Sequence, residues 1–391
     1  MISVEAALAE IAALVGPVTT EPVALADAAG RVLAEPVTAK RDQPPFAASA
    51  MDGYAVRAAD MTVAARLRVI GEAVAGCRYD GPVGPGETVR IFTGAPLPDG
   101  ADTILIQEDA ERASDGTIRV TDVPTQHYVR PAGGDFQRGA MLEAPRRLAP
   151  ADLALAAAMN VPDLTVARRP QVALIATGNE LVPPGEMPDR DQIIGSNIFA
   201  LKALVEAEGA NARLLPIARD SAESLSTTLG LARSADLILT TGGASVGDHD
   251  LVSPVAQSMG MDLSFHKVAM RPGKPLMAGR LGHSILVGLP GNPVSSIVCG
   301  MIFVRPLLRA MQGLPAEPLP RSPAILAEDL SANGPREHYM RARLEDGRIR
   351  AFDRQDSSLL SVLAQANALL VRPPHDPARC AGDTVEMIPL G

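Results

Sequence analysis

The chain has 391 residues, too many for one hydrophobic core, so two to four domains are expected. Hydrophobic residues make up 47% of it, but aromatics only 3% and tryptophan is absent, so packing must rest on Ala, Val and Leu. A formal net charge of −9 with so few stacking rings argues against nonspecific nucleic-acid binding, yet leaves room for a small anion held by local positive charge.

In chain order, Ser3 to Val15 has helical spacing: Val4, Leu8, Ile11 and Val15 share a face, Ser3 is an N-cap, and Gly16-Pro17 is a stop. Glu5 and Glu10 in this stretch, without a basic start or an apolar run, do not read as a signal peptide. From Pro36 to Gly139, short Val/Ile runs alternate with Gly/Pro punctuation, which reads as a β-rich domain. A helix is expected over Ala149 to Asn160. Residues 171–312 then alternate strand and helix patterns. Strands are expected at Gln171–Ala176, Arg213–Ala218, Leu237–Thr240, Asp262–Ala269 and Ser284–Leu289. Helices are expected at Ser196–Glu208, from Asp220 with Glu223 completing a capping box, and at Pro293–Gln312 capped by Asn292. This alternation implies a mainly parallel α/β sheet covered on both faces. A Pro-rich linker, Leu314 to Pro323, leads to a small β domain with one short helix near Ser357 to Ala366. No apolar stretch reads as the roughly 18 residues of a membrane span, and the expectation is a soluble cytoplasmic protein. Cys77, Cys299 and Cys380 are far apart and form no C-x-x-C, which disfavours structural zinc and a disulfide framework.

In an open parallel sheet, ligands bind beyond the carboxyl ends of the strands. Those ends carry TGNEL (177–181), Arg219-Asp220, TTGGASVGDHD (240–250) and LPGNP (289–293). Gly242, Gly243 and Gly247 can turn N–H groups toward an anion, and helix starts add positive potential. Glu180, Asp220, Asp248 and Asp250 should repel that anion unless they hold Mg²⁺, a hard cation that binds through one or two carboxylates plus substrate phosphates. Any one of these acids alone reads as a helix cap or a solvated loop residue; four on strand-end loops favour a site. A second constellation, HKVAMRPGKP (266–275), gathers Lys267, Arg271 and Lys274 in an acidic protein. Alone it reads as a solvated basic loop; after a rim of phosphate-type loops it reads as an oxyanion grip. GASVG also matches the nucleophile-elbow pattern, so a serine hydrolase using Ser245 with His266 or His283 is an alternative of different chemistry. No H-E-x-x-H or strand-opening G-x-G-x-x-G occurs, which leaves a nicotinamide dehydrogenase unsupported. A noncatalytic scaffold is a third reading.

Seven stretches taken together, PPFAASAMDGYAV (44–56), IFTGAPLPDGADTIL (91–105), RPAGGDF (130–136), ATGNEL, TTGGASVGDHD, MRPGKP (270–275) and GLPGNPVSS (288–296), resemble the molybdopterin molybdenumtransferases, the MoeA-type enzymes and the C-terminal domain of gephyrin. The resemblance covers nearly the whole chain. It implies insertion of molybdenum from molybdate into adenylylated molybdopterin, with Mg²⁺-dependent release of AMP. It also implies a homodimer with a shared cleft, fed by a molybdopterin adenylyltransferase. A binding-only paralogue would keep the fold and release no AMP. The implied fold is multidomain: an elongated linking region (1–40 and 140–170), an inserted β-rich domain (41–139), an α/β molybdopterin-binding domain (171–315) and a C-terminal β-barrel-like domain (316–391).

Carried over by motif, the resemblance assigns Asp52, Thr93, Asp135, Glu180, Asp220, Asp250, Lys267 and Arg271 to the chemistry. Ser196, Asn197, Gly242, Gly243, Ser245, Gly247, Lys274, Pro290, Gly291, Asn292, Arg341 and Ser357 would bind the pterin nucleotide. Glu180, Asp220 and Asp250 would hold Mg²⁺. Asp52-Gly53 and Gly133-Gly134-Asp135 also read as ordinary turns. The chain departs from the usual family pattern at Ala47, Ala48 and Ser358, and Arg271 stands where a lysine also occurs.

Overall fold

A computed structural model describes residues 1–243 and 251–390. They form two compact units: Pro22–Val166, and Met1–Glu21 together with Ala167–Gly391. Residues 1–21 thus cluster with the second unit, whereas the sequence groups them with 140–170.

Pro22–Val166 is built on a six-stranded sheet in the order Thr103–Ile106, Gly53–Val56, Glu87–Ile91, Arg66–Ala73, Thr117–Val120, Ala110–Arg112. Side chains alternate across it. Ala55, Val89 and Ile104 enter one core, and Tyr54, Leu67 and Leu105 enter another. Gly53 is required by a close approach, since a Cβ there would lie 2.1 Å from the Leu105 carbonyl oxygen. A third core gathers Leu33, Leu142, Leu148, Met159 and Leu164 around the helix Pro150–Ala158, whose Asp152 accepts the Ala149 N–H at 2.8 Å.

The larger unit begins with α1 (Val4–Ala13), capped by Ser3 and burying Val4, Ala7 and Ile11. Its α/β part runs β1 (Gln171–Ala176), α2 (Asn197–Ala207), β2 (Asn211–Leu214), α3 (Ala222–Leu231), β3 (Leu237–Thr241), α4 (Val252–Ser258), β4 (Met261–His266), β5 (Met270–Arg271), β6 (Met277–Leu281) and β7 (Ser284–Leu289). The sheet order is β2-β1-β3-β7-β6-β4. β2, β1, β3 and β7 are parallel; β6 runs against both β7 and β4. β1, β3 and β7 are buried along nearly all their length, as continuous apolar runs covered on both faces should be. The chain passes from β1 outward to β2 and then back across to β3, so the strand order reverses between β1 and β3.

Three sequence expectations need correction. The second strand is Asn211–Leu214, not Arg213–Ala218, because Pro216 has no N–H to continue a ladder. Strand β6 was not foreseen: MAGRL has no β-branched residue, and its Gly279 is placed by a Cβ position only 2.3 Å from the Asp262 carbonyl oxygen. The cap of α3 is Ser221, whose Oγ accepts the Ser224 N–H at 3.2 Å; Asp220 lies one residue outside. One described helical stretch, Pro293–Met311, has the length and hydropathy of a membrane span, but 67% of its apolar window is buried, as in a core helix.

That stretch comprises α5 (Pro293–Cys299), a π-helical turn over Gly300–Val304 and α6 (Arg305–Met311). Beyond it, β8 (Ser322–Leu326), β9 (Glu337–Glu345), β10 (Arg348–Ala351), α7 (Leu360–Gln365), β11 (Ala368–Arg372) and β12 (Thr384–Pro389) follow. The order β9-β10-β8-β12-β11 closes through β9–β11 pairing into a five-stranded barrel. β5 pairs in parallel with the start of β9, setting Arg271 opposite His338. Tyr339, Leu369, Val371 and Ile388 of the barrel share one apolar cluster with α1 and the α/β sheet.

Candidate active site

Ala176, Thr241 and Leu289 are level across β1, β3 and β7, so the loops that follow them leave from one rim. That rim lies at the reversal of strand order, the position where open α/β sheets hold ligands. A cavity of about 740 Å³ opens there. Of the residues expected from sequence, Glu180, Asp220, Ser196, Asn197, Gly242, Gly243, Pro290, Gly291 and Asn292 line it. Ser245, Gly247, Asp248 and Asp250 lie outside the described residues.

The lining has three chemical parts. Gly242 and Gly243 adopt φ of 91° and 59°, a left-handed backbone suited to glycine. A Cβ on Gly243 would also meet Val252 Cγ2 at 2.6 Å. The N-terminus of α2 brings Gly195, Ser196 and Asn197 to the cavity with the positive end of the helix dipole. Glu180 and Asp220 are exposed and form no ion pair among the described residues. Two exposed carboxylates lining one cavity are an oxygen-donor set that fits Mg²⁺. Among the described residues, no group of three His, Cys, Asp or Glu forms a cage by itself. The remaining coordination would therefore fall to substrate oxygens, water or the residues outside the described set.

Loop-to-loop hydrogen bonds hold this rim. Asn197 Nδ2 donates to the Gly291 carbonyl at 2.7 Å. Asn292 precedes α5 as expected, yet its side chain makes no cap; Nδ2 donates to Ser357 Oγ at 2.9 Å. The Val294 N–H donates to the Ser357 carbonyl at 3.0 Å. Ser357 is thus a support of the cavity, and its neighbour Ser358 lines it.

The basic constellation lies to one side. Lys267, Arg271 and Lys274 do not line the cavity, although Pro275 does. Lys267 is held at φ 76° with its N–H on the Leu276 carbonyl. Arg341 is fully buried: Nη2 donates to the Asp356 carbonyl at 3.0 Å, while Nε and Nη1 have no partner among the described residues. A buried guanidinium with two open donors suits an oxyanion. Burial, then the Arg271 charge, pushes the His338 imidazole down to about 4. In the smaller unit, the Thr93 N–H and Oγ both donate to Asp52 Oδ1 at 2.8 Å, holding that carboxyl below its usual range. Asp135 sits in a turn with its N–H on the Gln43 carbonyl. The two histidines read as candidate bases lie on different elements. His283 lies in the β6–β7 turn, at the opposite end of β7 from the rim, and His266 ends edge strand β4, three strands from β3.

Three family models match in succession: the MoeA N-terminal region (domain I and II) over residues 2–160, a probable molybdopterin binding domain over 173–310 and the MoeA C-terminal region (domain IV) over 323–390. The chain belongs to the MoeA family. A molybdopterin molybdenumtransferase from Nostoc sp. is 36% identical over 387 residues, covering 95% of this chain and 89% of that protein. Another, from Haemophilus influenzae, is 34% identical, covering 96% and 95%. The molybdopterin biosynthesis moeA protein from Pyrococcus horikoshii OT3 is 27% identical and superposes with a TM-score of 0.85, each chain covered in full (100%).

Within this MoeA-family cavity, several lining residues escaped the sequence reading. Ile193 and Ile194 are 58% and 39% exposed and give it an apolar wall. Their only sequence signal is a pair of isoleucines directly before the Gly195-Ser196 helix entry. Ser295 lines the cavity as well, inside GLPGNPVSS but with no role read for it. Arg219 does not line the cavity; its side chain grips backbone carbonyls of the Glu180 loop, which no motif records.

Proposed function

We propose that this chain is a molybdopterin molybdenumtransferase of molybdenum cofactor biosynthesis. In this reading it inserts molybdenum from molybdate into adenylylated molybdopterin and releases AMP in a Mg²⁺-dependent step. The observation that carries the proposal is the cavity at the strand reversal, where two carboxylates meet a glycine turn and a helix N-terminus. A doubly anionic nucleotide requires both kinds of group.

The α2 N-terminus and the Gly242-Gly243 turn would hold phosphate oxygens by N–H donation. Ile193, Ile194 and Leu181 would pack against a flat ring and exclude water from one side. Glu180 and Asp220, with Asp250, would hold Mg²⁺. When bound, Mg²⁺ would supply Lewis-acid polarisation of the phosphoanhydride and offset charge on the departing AMP. Arg271, Lys274 and Arg341 supply positive charge for molybdate, a tetrahedral oxyanion. No protein cysteine is needed, because the sulfur ligands belong to the pterin dithiolene.

The decisive measurement is AMP release from adenylylated molybdopterin with and without molybdate and Mg²⁺. Release should require both, and should fall more than about 10-fold in Glu180→Gln, Asp220→Asn and Asp250→Ala. Wild-type release from verified substrate that ignores molybdate would sink the insertase reading. We further propose that the chain acts as a cytoplasmic homodimer fed by a molybdopterin adenylyltransferase. Sedimentation equilibrium should give twice the chain mass at micromolar concentration; a monomer there removes the dimer.

A further inference from the structure

The loop that carries Glu180 is bent around one nitrogen. Arg219 Nη1 lies 3.4 Å from the Gly178 carbonyl oxygen, 3.3 Å from that of Asn179 and 2.9 Å from that of Leu181. The intervening Glu180 carbonyl accepts the Ile193 N–H at 2.7 Å. All four consecutive carbonyls from 178 to 181 are therefore occupied, three of them by a single cationic donor group.

Arg219 is itself held. Its N–H donates to Ser224 Oγ at 2.9 Å, and the Ser224 N–H donates to the α3 cap Ser221. The next residue completes the lock: the Asn179 N–H donates to Asp220 Oδ2 and the Asp220 N–H to Asn179 Oδ1, both at 3.1 Å. The Gly178 N–H donates to the Ala218 carbonyl at 3.0 Å. Within the loop, the Glu180 carboxylate folds back over Gly178, where an added Cβ would lie 2.3 Å from Oε2. The carbonyls are drawn toward the guanidinium while the carboxylates of 180 and 220 face the cavity.

We propose that Arg219 is a positioning residue, which fixes the loop of Glu180 against that of Asp220 so that the two carboxylates are set before a cation arrives. The proposal rests on the reading of Glu180 and Asp220 as the pair that holds the metal. The two N–H groups of the cationic Nη1 are shared among the three carbonyl dipoles, and the planar guanidinium fixes their directions; methionine offers no donor. Without Arg219 the three carbonyls would turn to water and the loop would relax, so cation binding would have to reorder it.

The test uses the full-length protein with Mn²⁺ as a spectroscopic substitute for Mg²⁺. Arg219→Met should weaken Mn²⁺ binding by roughly 10–100-fold, the range for a residue supporting metal ligands. Hydrogen exchange should quicken in peptides covering 178–182 and stay unchanged in those covering β1 and β3. Arg219→Lys, which keeps a charge and three donors, should recover part of both effects. Unchanged loop exchange in a folded Arg219→Met protein would overturn the proposal. So would faster exchange spread evenly over β1 and β3 in both variants, because that is loss of fold rather than of position. If the wild type binds no Mn²⁺, or Glu180→Gln binds it equally well, the metal reading falls. The exchange result in the loop then still decides whether Arg219 holds it.

Discussion

Four guanidinium groups act on His338: Arg271 on β5, Arg336 and Arg341 along its own segment, and Arg372 on the paired strand β11. Burial is the larger cause of its depressed titration, and these guanidinium groups add to it. The folded imidazole stays neutral down to about pH 4, whereas an ordinary imidazole takes its proton near 6.5. Between those values the unfolded chain binds a proton that the folded chain refuses, so stability falls as pH falls through that window. His338→Gln should therefore lose less stability than wild type between pH 7 and pH 5 in urea titrations. Parallel losses in the two proteins would show that His338 titrates elsewhere. Arg372 is balanced by its buried ion pair with Asp376, whereas Arg341 keeps two buried donors open, which agrees with an oxyanion beside it.

At the scale of elements, the rim is held by side chains that leave their own loop. Asn292 was legible in the sequence as a residue that starts a helix before Pro293, and it stands there. Its hydrogen-bond partner was not legible, because Ser357 is 65 positions away and reached only when the barrel packs beside α5. Asn292→Ala should cost about 1 kcal/mol of stability, the worth of one ordinary hydrogen bond. It should also raise the KM for adenylylated molybdopterin. Urea titration and steady-state AMP release measure the two effects, and an unchanged KM would leave Asn292 as mere structural support. Arg219 makes the same point from the other side. Arg-Asp after a strand was visible as a rim dipeptide, but attention falls on the acid. The three carbonyls that define the arginine's role carry no sequence identity.

For the whole molecule, the two compact units have separate apolar clusters. Those of Pro22–Val166 draw on residues of that segment alone. The segment is continuous in sequence, so a protein made from residues 22–166 should fold cooperatively, with a sigmoidal thermal transition by circular dichroism. A broad, non-cooperative melt would show that its cores need the rest of the chain. The larger unit behaves differently. Its barrel and α/β sheet share Tyr339, Leu369, Val371 and Ile388 with α1, so a cut in the Pro-rich segment at 314–323 would divide one core. Composition marked that segment as a linker; packing makes its two sides interdependent.

The sequence by itself determined the local features. These are the apolar runs of β1, β3 and β7, the Ser3 cap, the helix after LPGNP, and the placing of glycines and acids at strand ends. Each depends on neighbours within a few positions, where backbone preference and side-chain period act directly. Tertiary structure decided the rest: the order of strands that puts TGNEL and TTGG at one reversal, the β6 strand, closure of the barrel, and the hold of Arg219 on a loop 38 to 41 residues earlier. Those depend on backbone groups that every residue shares. Their partners are chosen only when the chain has packed and each buried N–H and C=O must find one.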